Sequence, residues 1–75
     1  MIHVAVSGAC GRMGRTLIRL VAESEDLKLV GAVEMPGHPC LGAAAASLAG
    51  VENLGITVTD RLPEALDVLV DFSLP

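Results

Sequence analysis

At 75 residues the chain is one small domain at most, near the size where a single core only just offsets chain entropy. A hydrophobic share of 52%, a mean hydropathy of +0.62 and a single aromatic residue, Phe72, exclude an aromatic-rich β-sandwich and imply Val, Leu, Ile and Ala packed between sheet and helices. A net charge of −4 without a basic stripe argues against nucleic acid or an anionic membrane surface as partner.

The chain opens on Ile2–Ser7, a short β-branched run that meets glycine and reads as a strand entering a tight turn. No basic segment or cleavage site precedes it, and no apolar run approaches the roughly 18 residues of a membrane span. A cytoplasmic protein is therefore expected. From Arg12 to about Ser24 the period becomes helical: Met13, Leu17, Leu20 and Val21 form an apolar face, while Arg12, Arg15 and Arg19 form a basic one, of which Arg15 and Arg19 are read as solvated. Leu27–Glu34 reads as a second strand, and Pro36, Gly37 and Pro39 then break regular structure. Residues 42–55 have no strong period; the alanines at 43–46 can support a helical turn or two. A connection of that length without structure is unusual unless it is functional or mobile.

Ile56–Thr59 reads as a third strand. Asp60 can cap a brief helix through Leu66, with Pro63 tolerated in its first turn. Asp67–Phe72 is nearly all apolar, the pattern of a strand buried on both faces. Right-handed crossovers then give an α/β fold, a parallel sheet in the order 3-2-1-4, which is the first part of a doubly wound Rossmann fold. Strand four would lie at an exposed edge, and so apolar a small domain implies surface to be covered by further chain. Cys10 and Cys40 lie far apart without a CxxC pattern, so two reduced thiols are expected rather than a disulfide or a metal site.

The informative motif is Gly8-Ala9-Cys10-Gly11-Arg12-Met13-Gly14 between the first strand and helix. Such a junction leaves the first N–H groups of the helix unpaired at the positive end of its dipole, a site suited to a pyrophosphate. Gly8 permits the turn, Gly11 lets the backbone approach phosphate, and Gly14 lets the helix pack closely. The spacing is GxxGxxG, with Cys10 where the commoner pattern has its second glycine. Strand before, helix after, and Glu34 at the end of strand two strengthen the motif, because a carboxylate there can accept from both ribose hydroxyls. Met35 follows Glu34, and no Lys or Arg occurs until Arg61, so a 2′-phosphate would lack a cation. NADH is expected in preference to NADPH, which stays as the second candidate.

Val4-Ala5-Val6-Ser7 and the glycine motif closely resemble the 4-hydroxy-tetrahydrodipicolinate (dihydrodipicolinate) reductases of bacterial lysine and diaminopimelate synthesis. The tetrad Gly11-Arg12-Met13-Gly14 is fairly specific to that family among Rossmann proteins. Val30–Glu34, Pro36–Pro39, Leu41-Gly42, Leu48–Gly50, Gly55–Asp60 and Val70–Pro75 are similar as well, so the resemblance runs the length of the chain, which is about the first third of such an enzyme. The resemblance implies the cofactor-binding part of a two-domain, tetrameric reductase that delivers hydride from NADH or NADPH to a cyclic dicarboxylate. By carry-over, Gly8, Ala9, Cys10, Gly11, Arg12 and Met13 would wrap pyrophosphate and adenosine. Glu34 would hold the adenine ribose, and Phe72 and Ser73 would lie on the nicotinamide side. Members favouring NADPH often carry Arg after the acidic residue, where this chain has Met35.

The family's His-His and Lys catalytic motifs lie beyond these residues, so no catalytic residue is expected among them and the 75 residues alone are expected to be inactive. His3 reads as a solvated strand residue, His38 as a turn residue and Asp71 as a polar strand end. Two other readings are a stand-alone nucleotide-binding or redox-sensing module, and an extended short-chain reductase, which shares GxxGxxG. Arg12-Met13 and the Pro36–Pro39 turn count against the latter.

Overall fold

The computed structural model describes residues 1–51 and 54–71. Strands β1 (Ile2–Ser7), β2 (Leu27–Val33), β3 (Val58–Thr59) and β4 (Val68–Asp71) form one parallel sheet in the order β3-β2-β1-β4, with helix α1 (Arg12–Glu23) between β1 and β2 and helix α2 (Ala45–Ala49) between β2 and β3. This is the expected partial Rossmann-like α/β sheet. The expected reach of the last strand to Phe72 lies outside the described residues.

The pairing of β1 with β2 slips between Val4 and Ala5, where Val30 is passed over. A one-residue bulge changes which face each following side chain takes. Here it keeps Leu29, opposite Val4, and Ala32, opposite Val6, on one face. Together with Val58, beside Ala32, they build the core under Ile18 and Val21 of α1 and Ala45 of α2. Ile18 and Val6 are fully buried.

Three local expectations are corrected. The face of α1 that docks is Gly14, Leu17, Ile18 and Val21, whereas Met13 and Leu20 are more than half exposed. Gly14 sets this rotation: a Cβ there would collide with the Gly8 carbonyl oxygen and stand 2.8 Å from Ala9 Cα, so the helix approaches along its glycine. Counting apolar side chains overlooks a glycine that faces inward. Next, residues 60–66 do not form a helix. Leu62 precedes proline and is disfavoured in the α region, and Pro63 fills the space over Gly31, its Cδ 2.8 Å from where a Gly31 Cβ would stand. Finally, β4 is not buried on both faces. It lies at the sheet edge with Val68 and Leu69 exposed, and only Val70 packs on the core.

The stretch without a readable period is tied down. Gly42 N–H donates to Val58 O (2.8 Å), Val58 N–H to Ala43 O (2.9 Å) and Ala45 N–H to Ile56 O (2.9 Å). Ala45 and Ala46 are buried, so the alanine run supplies small residues where α2 meets α1 and the sheet. Gly50 ends α2 in the left-handed conformation, φ 68°.

Candidate functional site at the glycine turn

The turn after β1 hangs from the end of β2: Gly8 and Ala9 N–H both donate to Val33 O, at 2.9 and 3.2 Å. Gly8 has φ 77°, a value that favours glycine, and Ala9 is fully buried. Gly11 N–H closes the turn on Gly8 O (3.1 Å), and the first bond into α1 runs from Arg15 N–H to Gly11 O (3.0 Å). The amides of Arg12, Met13 and Gly14 precede that bond, and Gly11 offers no side-chain cap. The helix thus presents its positive end at the carboxyl ends of β1 and β2, where open α/β sheets bind ligands.

Gly11 is required neither by its backbone, φ −75°, nor by packing, since the nearest atom to a Cβ there would be Gly8 O at 3.5 Å. The chain leaves room above Gly11 that its own fold does not use. Gly14, by contrast, is a packing glycine.

Glu34 immediately follows β2, its N–H bonded to Thr59 O (2.8 Å). Its carboxylate turns toward the glycine turn, and Oε2 accepts the Cys10 N–H at 2.9 Å. Oε1 accepts only a long bond, 3.4 Å, from the adjacent Met35 N–H. Among the described residues no cation pairs with Glu34; the ion pair of Arg19 with Glu23 lies on the exposed side of α1. Arg15, read as solvated, donates from Nε to Cys10 O (3.0 Å) and braces the turn. Arg12 and Met13 are exposed at the start of α1, and Phe72 and Ser73 lie outside the described residues.

The main surprise is Cys10 and Cys40, which form a disulfide with Cα atoms 6.7 Å apart, contrary to the expected pair of reduced thiols. Distance along the chain misleads here, because the loop after Glu34 folds back onto the turn through successive bonds from His38 to Met35 O and from Leu41 to His38 O. His38 belongs to this cluster: Nδ1 accepts the Cys40 N–H (3.1 Å), and a ring nitrogen lies within 4.8 Å of both sulfurs. A sequence signal for it exists only in retrospect, in two cysteines that each neighbour a glycine- or proline-rich turn. His3, at the far end of β1, pairs with Asp67: its N–H donates to the Asp67 carboxylate, and Asp67 N–H donates to His3 O, each at 2.8 Å.

Two hollows lie away from the glycine turn. One of about 300 Å³ is lined by Gly31, Thr57, Thr59, Arg61 and Pro63. Among the described residues no helix is long and apolar enough to cross a membrane.

Comparison with known proteins agrees with this architecture. The family model described as dihydrodipicolinate reductase, N-terminus, matches residues 2–75. The chain is 53% identical to the 4-hydroxy-tetrahydrodipicolinate reductase of Anaeromyxobacter sp. (strain Fw109-5), over 97% of this chain and 28% of that protein. It is 51% identical to the enzyme of that name from Alkalilimnicola ehrlichii, with the same coverage. Against that of Methanothermobacter thermautotrophicus the identity is 48%, over 99% of this chain and 30% of the relative. The chain therefore spans less than a third of the length of these relatives.

Proposed function

This chain belongs to the dihydrodipicolinate reductase family, whose N-terminal part it matches, and from that premise we propose that it holds the pyrophosphate and adenosine ribose of a nicotinamide dinucleotide. The carrying observation is the Glu34 carboxylate, directed at the glycine turn with Oε1 nearly unengaged. In this reading the amides of the turn and of the first turn of α1, from Gly8 to Met13, receive the pyrophosphate. The space over Gly11 lets the phosphates reach the backbone. Glu34 accepts from the ribose hydroxyls, and Phe72 belongs to the nicotinamide side.

A bound nicotinamide cofactor supplies hydride, and the whole protein uses it to reduce a cyclic dicarboxylate in lysine and diaminopimelate synthesis, as a cytoplasmic tetramer. These residues bind and orient the cofactor. The groups that hold the substrate and handle its protons belong to the part of the family beyond this match. NADH is the preferred form, because Met35 rather than a cation follows Glu34 and among the described residues no cation pairs with its carboxylate.

The test is Glu34→Gln in the full protein that carries these residues, read by calorimetric titration. Losing charge-assisted bonds to the ribose is expected to weaken NADH binding roughly tenfold while leaving weaker NADPH binding little changed. Unchanged NADH affinity in E34Q refutes the ribose role. Tighter NADPH than NADH binding by the unsubstituted protein at moderate salt refutes the preference.

A further inference from the structure

We propose that Cys10 and Cys40 are a reversible thiol–disulfide site that gates nucleotide entry at the glycine turn, an inference that rests on the nucleotide reading above. The bridge joins the two segments that flank Glu34: the turn its carboxylate contacts through Cys10 N–H, and the loop that leaves its strand and carries Cys40. Both ends are anchored independently of the sulfurs. The turn hangs on Val33 O and is braced by Arg15, while the loop is held by the bonds of His38, Leu41 and Ala43 to carbonyls three residues earlier and by Gly42 to Val58. The two cysteines are therefore placed by the fold, at a Cα separation that a disulfide can span.

Three features suit this pair to exchange rather than to permanent cross-linking. Both cysteines are half-buried, within reach of small thiols and disulfides. Cys10 lies just ahead of the N-terminus of α1, on a turn braced by the bond from Arg15 Nε to its carbonyl oxygen, which keeps its sulfur at a fixed place. A His38 ring nitrogen close to both sulfurs offers a polar partner for whichever sulfur is released. His38 and the two sulfurs have the donor set of a soft-metal triad, but sulfurs bonded to each other favour exchange chemistry.

The oxidant is a low-molecular-weight disulfide of the glutathione class. The Cys10 thiolate attacks it, forming a mixed disulfide and releasing one small thiol. Cys40, on losing its proton, attacks the Cys10 sulfur, closing the bridge and releasing the second small thiol. The two protein thiols lose two electrons and two protons, and the oxidant gains both as two thiols. A dithiol reverses the sequence. Bridged, the two segments are clamped together where the ribose enters; reduced, each keeps its own hydrogen bonds, but without the covalent tie the two can move relative to one another.

The experiment uses the full protein that carries these residues. NADH affinity is measured by calorimetry with dithiothreitol, after equilibration with oxidised glutathione and removal of the excess, and after renewed reduction, with intact mass reporting the two hydrogens lost on bridging. Cys40→Ser, kept free of oxidant, is the permanently open control, with Cys40→Ala replacing it if the serine variant does not fold. Reduced protein and the open control are expected to bind alike, and the bridged protein roughly tenfold or more weakly, with recovery on reduction. Equal affinity in bridged and reduced protein overturns the gate and leaves the nucleotide reading standing. Failure of the bridge to form under oxidised glutathione also overturns the gate. If reduced protein and the folded open control both fail to bind NADH, the nucleotide reading falls and takes the gate with it.

Discussion

Gly11 and Gly14 are three positions apart in one motif, yet only Gly14 is held by packing. A methyl group on Gly14 would overlap the Gly8 carbonyl oxygen and the Ala9 backbone, which cannot move without shifting β1 or α1. Gly14→Ala is expected to cost about 1–3 kcal/mol of stability, seen as a lower midpoint in chemical denaturation. Gly11→Ala meets nothing closer than 3.5 Å at an ordinary φ, so its stability is expected to stay within about 0.5 kcal/mol of the unsubstituted chain. Under the nucleotide reading, its NADH affinity falls nonetheless, and a G11A protein that binds NADH undiminished argues that no phosphate comes close to this backbone. Glu34 was legible in the sequence from its place at the end of a strand. Its bond to Cys10 was not, because that depends on a turn hung from the end of β2.

Among elements, α1 shows how a correct helix can be assigned the wrong face. Its span agrees with the periodic pattern to within a residue, but Ile18 rather than Leu20 is buried. Ile18→Ala removes a fully buried side chain and is expected to cost about 2–4 kcal/mol, whereas Leu20→Ala, more than half exposed, is expected to change stability by under about 0.5 kcal/mol. Equal losses in the two variants, measured by urea denaturation, contradict this docking. The segment after β3 illustrates a tertiary override: Asp60 and Pro63 suit a helix start, but Pro63 is needed over Gly31, and an extended path delivers it there. The alanine run has the opposite history, unreadable by period yet ordered, because Ala45 and Ala46 are selected by the close approach of α2.

At the scale of the molecule, a core this small leans on its cross-link. The bridge between Cys10 and Cys40 closes a loop with a sequence separation of 30. In the chain-entropy account such a loop contributes about 3–4 kcal/mol. Reduction is therefore expected to lower the thermal midpoint of the 75-residue chain markedly, as circular dichroism with and without dithiothreitol would show; an unchanged midpoint means the bridge adds nothing. The edge strand β4 exposes Val68 and Leu69 beside backbone groups with no further strand to meet among the described residues. Such an edge invites pairing with another copy. Sedimentation of the isolated 75 residues is expected to depend on concentration, and Leu69→Lys to reduce that dependence; a strictly monomeric chain at high concentration refutes the expectation.

The strand order, the first helix, the parallel sheet and the glycine turn with Glu34 at the end of strand two were determined by the sequence alone, because they rest on local periodicity, on glycine's freedom at turns and on the near-obligatory hand of crossovers. What only the tertiary structure decided involves residues brought together from distant parts of the chain. The rotation of α1 follows from Gly14 meeting Gly8, the unwound stretch after β3 from Pro63 meeting Gly31, and the disulfide from a loop folding back to set Cys40 beside Cys10. Periodicity reports which side chains could face a core. Which backbone approaches closely enough to need a glycine, and which two sulfurs touch, depends on how the finished elements pack.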